Sequence, residues 1–129
     1  MLAFCNKQVL IGKRKPTSNA FPDAWCLPGG FVHTFGSPEG PPETFVEAAK
    51  REFKEETGLT IPIGRWVPGP VYSDPETDPR GHVINAVYVA PILPWEQDRI
   101  VASDDIVELK WVPYTDVPPL AFNHNEIVD

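Results

Sequence analysis

The sequence predicts a mixed α+β fold or an α/β sandwich, and three observations carry that expectation. Strand-like segments outnumber helical ones. One sharply delimited helix, expected over Phe45–Thr57, lies in the middle of the chain. The stretch His82–Ile92 sets Val83, Val87 and Val89 on one face and Ile84, Ala86, Tyr88 and Ala90 on the other. A strand apolar on both faces belongs inside a sheet that is covered on both sides.

Taken in order, Leu2–Cys5 and Val9–Lys13 read as two short strands joined at Asn6-Lys7. Lys13, Arg14 and Lys15 then form a basic cluster, either a solvated strand exit or a phosphate contact through Arg14. After the polar loop Pro16–Asp23, Trp25–Leu27 leads into Pro28-Gly29-Gly30, a turn that brings bare backbone close to another group. Phe31–Pro42 continues as loop, with at most a short extended piece at Phe31–His33. Thr44 followed by Glu47 is a capping-box pairing and Gly58 a C-terminal stop, which together bound the helix. Phe45, Ala48, Ala49 and Phe53 recur at helical spacing and are its expected core side. Leu59–Ile63 and Trp66–Tyr72 read as strand material interrupted by Gly64 and Pro68, and Ser73–Gly81 as a turn-rich loop. Pro94–Ser103 reads as loop, Glu108–Tyr114 as a strand, and a final helix is expected to begin at Leu120.

At 129 residues the chain fits one domain, 1–129, with a real core. Hydrophobic content of 42% and charged content of 22% are those of a soluble globular protein. No apolar run reaches the length of a membrane span, and Met1–Phe4 is too short for a secretory signal, so a cytoplasmic location is expected. Cys5 and Cys26 read as reduced core thiols in strands, since nothing in their spacing suggests a disulfide framework or zinc. A net charge of −7 argues against a long nucleic-acid partner, yet a small anionic substrate remains compatible if bound metal supplies positive charge. The 16 prolines fall in clusters and read as rigid loops around a compact fold.

The chemistry concentrates at the end of the helix. Glu52, Glu55 and Glu56 share one side at i, i+3 and i+4, in the turn where the macrodipole is already negative. Either they are solvated surface glutamates, or a hard divalent cation with oxygen ligands, Mg²⁺ first, relieves their repulsion. The Gly-Gly before the helix and Gly58 after it give a defined loop-helix-loop context that favours the cation.

From Glu43 onward, the run of seven residues and then Arg51-Glu52-Phe53-Lys54-Glu55-Glu56-Thr57-Gly58-Leu59 resembles the second part of the Nudix hydrolase signature without exception. The first part departs: twelve residues, 31 to 42, separate Gly30 from Glu43 where the family has five, which is read as an insertion in the loop. The resemblance implies an α/β/α sandwich, a mixed sheet with the loop-helix-loop metal motif on one side. It also implies Mg²⁺ or Mn²⁺ held by Glu52, Glu55 and Glu56, which are then the catalytic residues, with Glu43 and Arg51 bracing the loop against the helix. The implied reaction is attack of water on a phosphorus of a diphosphate that links a nucleoside to a second moiety.

Three further stretches are similar to the ADP-ribose pyrophosphatase branch: Trp25–Val32, Asp78–Val83 and Pro119–His124. They imply ADP-ribose, cleaved to AMP and ribose 5-phosphate, as substrate, with Arg80 contacting phosphate unless it only pairs with Asp78 or Glu76. Gly29, Gly30, Arg14 and His82 complete the expected substrate contacts, with His82 equally readable as a satisfied edge residue and His124 as a brace. Trp25, Trp66, Trp95 and Trp111 read as core or rim rather than as base-stacking platforms. The general base stays open between Glu52 or Glu55 and a later acid among Glu96, Asp98, Asp104 and Asp105. A pyrophosphohydrolase for modified nucleoside triphosphates and a non-catalytic nucleotide-sensing domain are the competing functions. Relatives extend further at both ends, so a sheet edge or a homodimer contact is expected beyond this sequence.

Overall fold

A computed structural model describes residues 1–128. Asp129, the last residue of the expected domain, lies outside the described residues.

Strands β1 (Leu2–Cys5) and β2 (Gln8–Arg14) form the expected antiparallel hairpin. Its two-residue turn has φ of 49° at Asn6 and 63° at Lys7, the left-handed pair that matches the twist of the flanking strands. Strand β6 (Ile106–Pro113) runs along β2 from Gln8↔Pro113 to Arg14↔Ile106. That uses one whole edge of β2, so β1 and the short β3 (Trp25–Cys26) must share the other. β1 takes Gln8 and Val9, and β3 takes Gly12 and Lys13. β1 then turns away to pair in parallel with β5 (Asn85–Pro91), which pairs on its far side with β4 (Val67–Tyr72). The sheet therefore opens between β3 and β5, and the chain leaving β3 runs into that opening.

Side chains alternate across β2, and this alternation makes the sandwich. Leu10 joins Ala3, Cys5, Ala90, Ile92, Ile61, Trp66 and Phe53 on one face. Phe53 comes from helix α1 (Phe45–Thr57), is fully buried and meets Trp66 edge-to-face at 5.2 Å. Burying it contributes roughly 2–3 kcal/mol. Val9 and Ile11 point the other way into a cluster with Leu27 and Val112, covered by Ile127 and Val128 of the last helix α3 (His124–Val128). Helix, sheet, helix is the α/β/α arrangement the sequence implied. Cys5 and Cys26 are both buried and free, as expected.

Helix α1 has the bounds its caps dictate. Thr44 Oγ1 accepts from Glu47 N at 3.2 Å while Glu47 Oε1 accepts from Thr44 N at 2.8 Å, and Gly58 closes the helix at φ 80°. Thr44→Ala is expected to cost about 1 kcal/mol in urea denaturation, and an unchanged midpoint would show that packing alone sets the helix start.

Several expectations are corrected. Phe45 is 57% exposed, because the first turn of α1 overhangs the opening in the sheet and the buried stripe starts at Ala48. Leu59–Ile63 is not strand: Pro62 lacks a donor, and a single 3₁₀ turn follows at Ile63–Arg65, with Ile61 buried in the core and Leu59 packed against it. β5 starts at Asn85 rather than His82, because β4 ends at Tyr72 opposite Asn85 and residues 82–84 have no strand to pair with. Within Pro94–Ser103 lies a short helix α2 (Pro94–Gln97), begun by a proline and capped by Glu96 Oε1 accepting from Leu93 N at 3.0 Å. Phe31–His33 forms no strand, and the final helix starts at His124, four residues later than expected, because Phe122 turns the chain at φ 54°.

Candidate active site and metal centre

A cleft of about 1300 Å³ fills the opening between β3 and β5. Its walls are the Leu27–His33 segment, the acidic side of α1, the middle of β5 and the turn at Ser103–Ile106.

Arg51 is the hub of this site. Its Nε donates to Glu43 Oε2 at 2.9 Å and one terminal nitrogen to Glu43 Oε1 at 2.6 Å, a forked pair. The same terminal nitrogen donates to Phe31 O at 3.0 Å, and the other reaches Glu52 Oε1 at 2.8 Å and Glu55 Oε2 at 3.2 Å. The guanidinium holds the Glu43 carboxyl below the usual carboxylate range and its own pKa rises in return. One side chain thus ties the loop after Gly30, the helix entry and two of the acids together.

The extra loop residues leave this bracing intact. His33 N donates to Glu43 Oε1 at 3.0 Å and Glu43 N to His33 O at 3.0 Å, closing the base of an excursion that contains residues 34–42. The lengthening is looped out there, while Gly29, Gly30 and Phe31 stay against the helix. Sequence spacing does not mark His33 as a site residue, because its role depends on a pairing with Glu43 ten residues away.

The carboxylates are set by depth. Glu56 is 3% exposed and accepts from Gly29 N at 3.0 Å, yet burial pushes its pKa up to about 8. Glu52 is half-buried, and burial raises it as well, against the opposing pull of Arg51. Its carboxyl group lies directly over Gly30, where a Cβ would come within 2.2 Å of Glu52 Oε1. Gly30 therefore serves as the bare floor under Glu52. Gly30→Ala is expected to push that carboxylate aside and cut turnover at least tenfold with little change in melting temperature; unchanged turnover would show that Glu52 need not sit there.

The fourth acid arrives from a distant turn. Val101 N donates to Thr57 O at 2.9 Å and Ser103 N to Glu56 O at 3.1 Å, satisfying carbonyls left open at the end of α1. Asp104 follows in a left-handed turn, φ 57°, and its carboxylate joins those of Glu52 and Glu55 so that one oxygen of each lies within 4.8 Å of the others. Burial and neighbouring Asp105 raise its pKa. Glu56 is not in that triad; it stands deeper, held by Gly29. The donor set, all carboxylate oxygens with Arg51 the one cation bonded among them, suits a hard divalent ion.

Burial of Glu56 has a measurable consequence in chelator. A group whose pKa is raised on folding contributes stability below its unfolded value, near 4.5, and loses it as pH rises through about 8. The chelated protein is expected to lose on the order of 3 kcal/mol between about pH 5 and pH 8, and Glu56→Gln to flatten that slope in denaturant titrations. A slope equal in both proteins would contradict the burial argument.

The other expected residues are distributed unevenly. Arg80 donates to Asp78 through Nε at 3.0 Å and a terminal nitrogen at 2.7 Å, and its guanidinium lies over Phe31 at 4.9 Å and Phe122 at 5.3 Å. It lines the cleft with Arg14, whose guanidinium covers the same Phe122 ring at 5.2 Å. His82 is not among the residues that line the cleft; it is exposed, with Nε2 2.7 Å from Ser73 O. His124 Nδ1 accepts from Leu27 N at 2.9 Å, and burial drives its pKa down to about 3, which makes it a neutral brace for the cleft wall. Trp25 lies outside the cleft under Lys110 at 4.3 Å. Of the later acids, Glu96 is buried against Arg65 and Asp105 pairs with Lys15 at 2.7 Å. Asp98 is exposed away from the cleft.

An α/β/α sandwich with clustered carboxylates at a loop-helix-loop defines a class of metal-dependent domain. The family model described as NUDIX domain matches residues 1–129, and the chain belongs to that family. It is 41% identical over 123 residues to an ADP-ribose pyrophosphatase of Methanocaldococcus jannaschii, covering 95% of this chain and 64% of that protein. The fold is also that of a MutT/nudix family protein from Enterococcus faecalis, with a TM-score of 0.81 and 29% identity over 99% of this chain and 57% of that one. A bifunctional NMN adenylyltransferase/ADP ribose pyrophosphatase from Francisella tularensis, complexed with AMP and a manganese ion, aligns with a TM-score of 0.79 and 25% identity, covering 98% of this chain and 38% of that one. The chain thus spans about two thirds of the length of the archaeal relative and less of both solved structures.

Proposed function

We propose that this domain hydrolyses the diphosphate of a nucleoside diphosphate joined to a second moiety, with ADP-ribose cleaved to AMP and ribose 5-phosphate as the leading case. The observation that carries this reading is the convergence of Glu52, Glu55 and Asp104 oxygens beside the bare backbone of Gly29 and Gly30, in a cleft large enough for a nucleotide. Glu52, Glu55 and Asp104, backed by Glu56, would hold Mg²⁺ or Mn²⁺. The ion would supply the positive charge that lets a carboxylate-lined cleft accept an anionic diphosphate. Arg51 and Glu43 keep the carboxylates in register, and Arg14 and Arg80 supply positive charge on the opposite wall. Glu52, Glu55 or Asp104 would take the proton from the attacking water; Glu96 is buried against Arg65 and Asp98 lies away from the cleft, while Asp105 borders the cleft but pairs with Lys15. The names of the archaeal relative and of the Francisella enzyme support ADP-ribose as the first substrate to test.

The test is a Mg²⁺-dependent hydrolysis screen over ADP-ribose, NADH, diadenosine polyphosphates, sugar nucleotides and oxidised dGTP, with products identified. AMP and ribose 5-phosphate from ADP-ribose is the expected result. Pyrophosphate released from a triphosphate would move the domain to nucleotide clean-up, and tight binding without turnover would make it a sensor.

A further inference from the structure

We propose that a second, smaller cavity beside the cleft binds a phosphate group, either free phosphate or the phosphate monoester of a small molecule. The cavity has about 180 Å³ and is bordered by Arg14, Lys15, Ser18, Asn19, Arg80 and Asp105. That is several times the roughly 30 Å³ a water occupies in the liquid. It shares Arg14, Arg80 and Asp105 with the main cleft but faces the loop after β2.

Charge and hydrogen-bonding capacity both point to phosphate. Lys15 pairs with Asp105 at 2.7 Å and Arg80 with Asp78 at 2.7 Å, while Arg14 has no carboxylate partner among the described residues. One positive charge is therefore left over in a chain whose net charge is −7. Arg14 is fixed in place by Nε donating to Ala20 O at 2.8 Å and by Phe122 beneath it, which leaves terminal N–H groups for an anion. Lys15 uses one of its three N–H groups on Asp105.

Ser18 supplies an independent observation. The turn from Lys15 to Ser18, closed by Ser18 N donating to Lys15 O at 3.1 Å, buries Ser18 Oγ with no hydrogen-bond partner. A buried hydroxyl without a partner is unfavourable, and Ser18 is one of the residues around the cavity, so rotation of its side chain toward a bound anion would supply the missing partner. Asp105 selects among anions. At pH 6, near the second pKa of a monoester, about half of a phosphate monoester keeps a P–OH, as all inorganic phosphate does, and that proton can go to the Asp105 carboxylate, whereas sulfate has none to offer.

Lys15 and Ser18 border this cavity and not the cleft, so substitutions there separate the proposal from binding of a reaction product in the cleft. The proposal is tested by calorimetric titration of the whole chain at pH 6 in EDTA with inorganic phosphate, ribose 5-phosphate and sulfate. Expected is saturable binding of at least one of the two phosphates, at least tenfold tighter than sulfate. It should weaken at least tenfold in Ser18→Ala or Lys15→Met, both checked for native near-ultraviolet circular dichroism. Equal affinity for the two phosphates identifies free phosphate as ligand, and preference for ribose 5-phosphate identifies a monoester. Absence of saturable binding, sulfate binding as tightly as phosphate, or binding unaffected by either substitution would overturn the proposal.

Discussion

Replacing Glu52 by Gln is expected to lower the turnover of ADP-ribose by on the order of a hundredfold to a thousandfold and to raise the Mg²⁺ concentration needed for half-maximal rate. The substitution is nearly isosteric, so the side chain can still lie over Gly30 and accept from Arg51. What disappears is one negative charge at the point where three carboxylates meet. Because burial already disfavours ionised Glu52, the neutral amide should leave the chelated protein no less stable than before. Lost turnover with retained stability separates a role in chemistry from a role in the fold. Turnover within threefold of wild type at every Mg²⁺ concentration would sink the assignment.

Arg51→Met should act the other way, on the fold first. It keeps the length of the side chain but removes the fork to Glu43 and the bond to Phe31 O. Glu43, only 11% exposed, would keep His33 N as its remaining donor, and Glu52 and Glu55 would face each other without a cation between them. Leaving such a carboxylate unpaired costs about 3 kcal/mol, or on the order of 10 °C in melting temperature for a domain of this size. Glu55 is 43% exposed and contributes little of that. Since Arg51 depresses the Glu43 pKa, the stability from this pair is present above the unfolded carboxylate pKa and lost as pH falls through the folded one. The gap between wild type and variant should therefore be widest near neutral pH and close in acid. Arg51→Lys should fall between them, because an ammonium cannot reproduce the fork. Equal melting temperatures at pH 7 would mean solvent already screens the network.

The contrast between these two residues explains what could be read in advance. Helix α1 was legible to the residue because its start and stop are local: Thr44, Glu47 and Gly58 fix them within a few positions. A mixed sheet covered on both sides was legible because His82–Ile92 is apolar on both faces, whereas the α/β/α order came from the resemblance of Glu43–Leu59 to the Nudix signature. Boundaries set by a partner were not. Where β5 begins depends on where β4 ends, and no pattern in His82–Ile84 shows that. The short α2 owes its burial to Arg65, far back in the sequence, meeting Glu96. Asp104 could not be ranked above Asp98 or Asp105, because what brings it to Glu52 and Glu55 is backbone bonding of Val101 and Ser103 to the end of α1. For Arg80, sequence offered phosphate or Asp78, and the structure pairs it with Asp78 while leaving it on the cleft wall.

The docking of residues 101–103 onto the end of α1 also sets an order of events in biosynthesis. The helix can cap itself as soon as Gly58 has been made, but Asp104 is added only later. At about 5–20 residues per second, roughly 2 to 9 s of translation separate Thr57 from Asp104. For the first part of that interval, until β5 has been made, β1 also lacks its parallel neighbour, and throughout it the glutamates of α1 lack the Asp104 carboxylate. Long-range pairing of this kind slows folding, since distant segments must meet before either is rewarded. The acidic centre is thus a late product of the nascent chain, completed by the same turn that leads into β6.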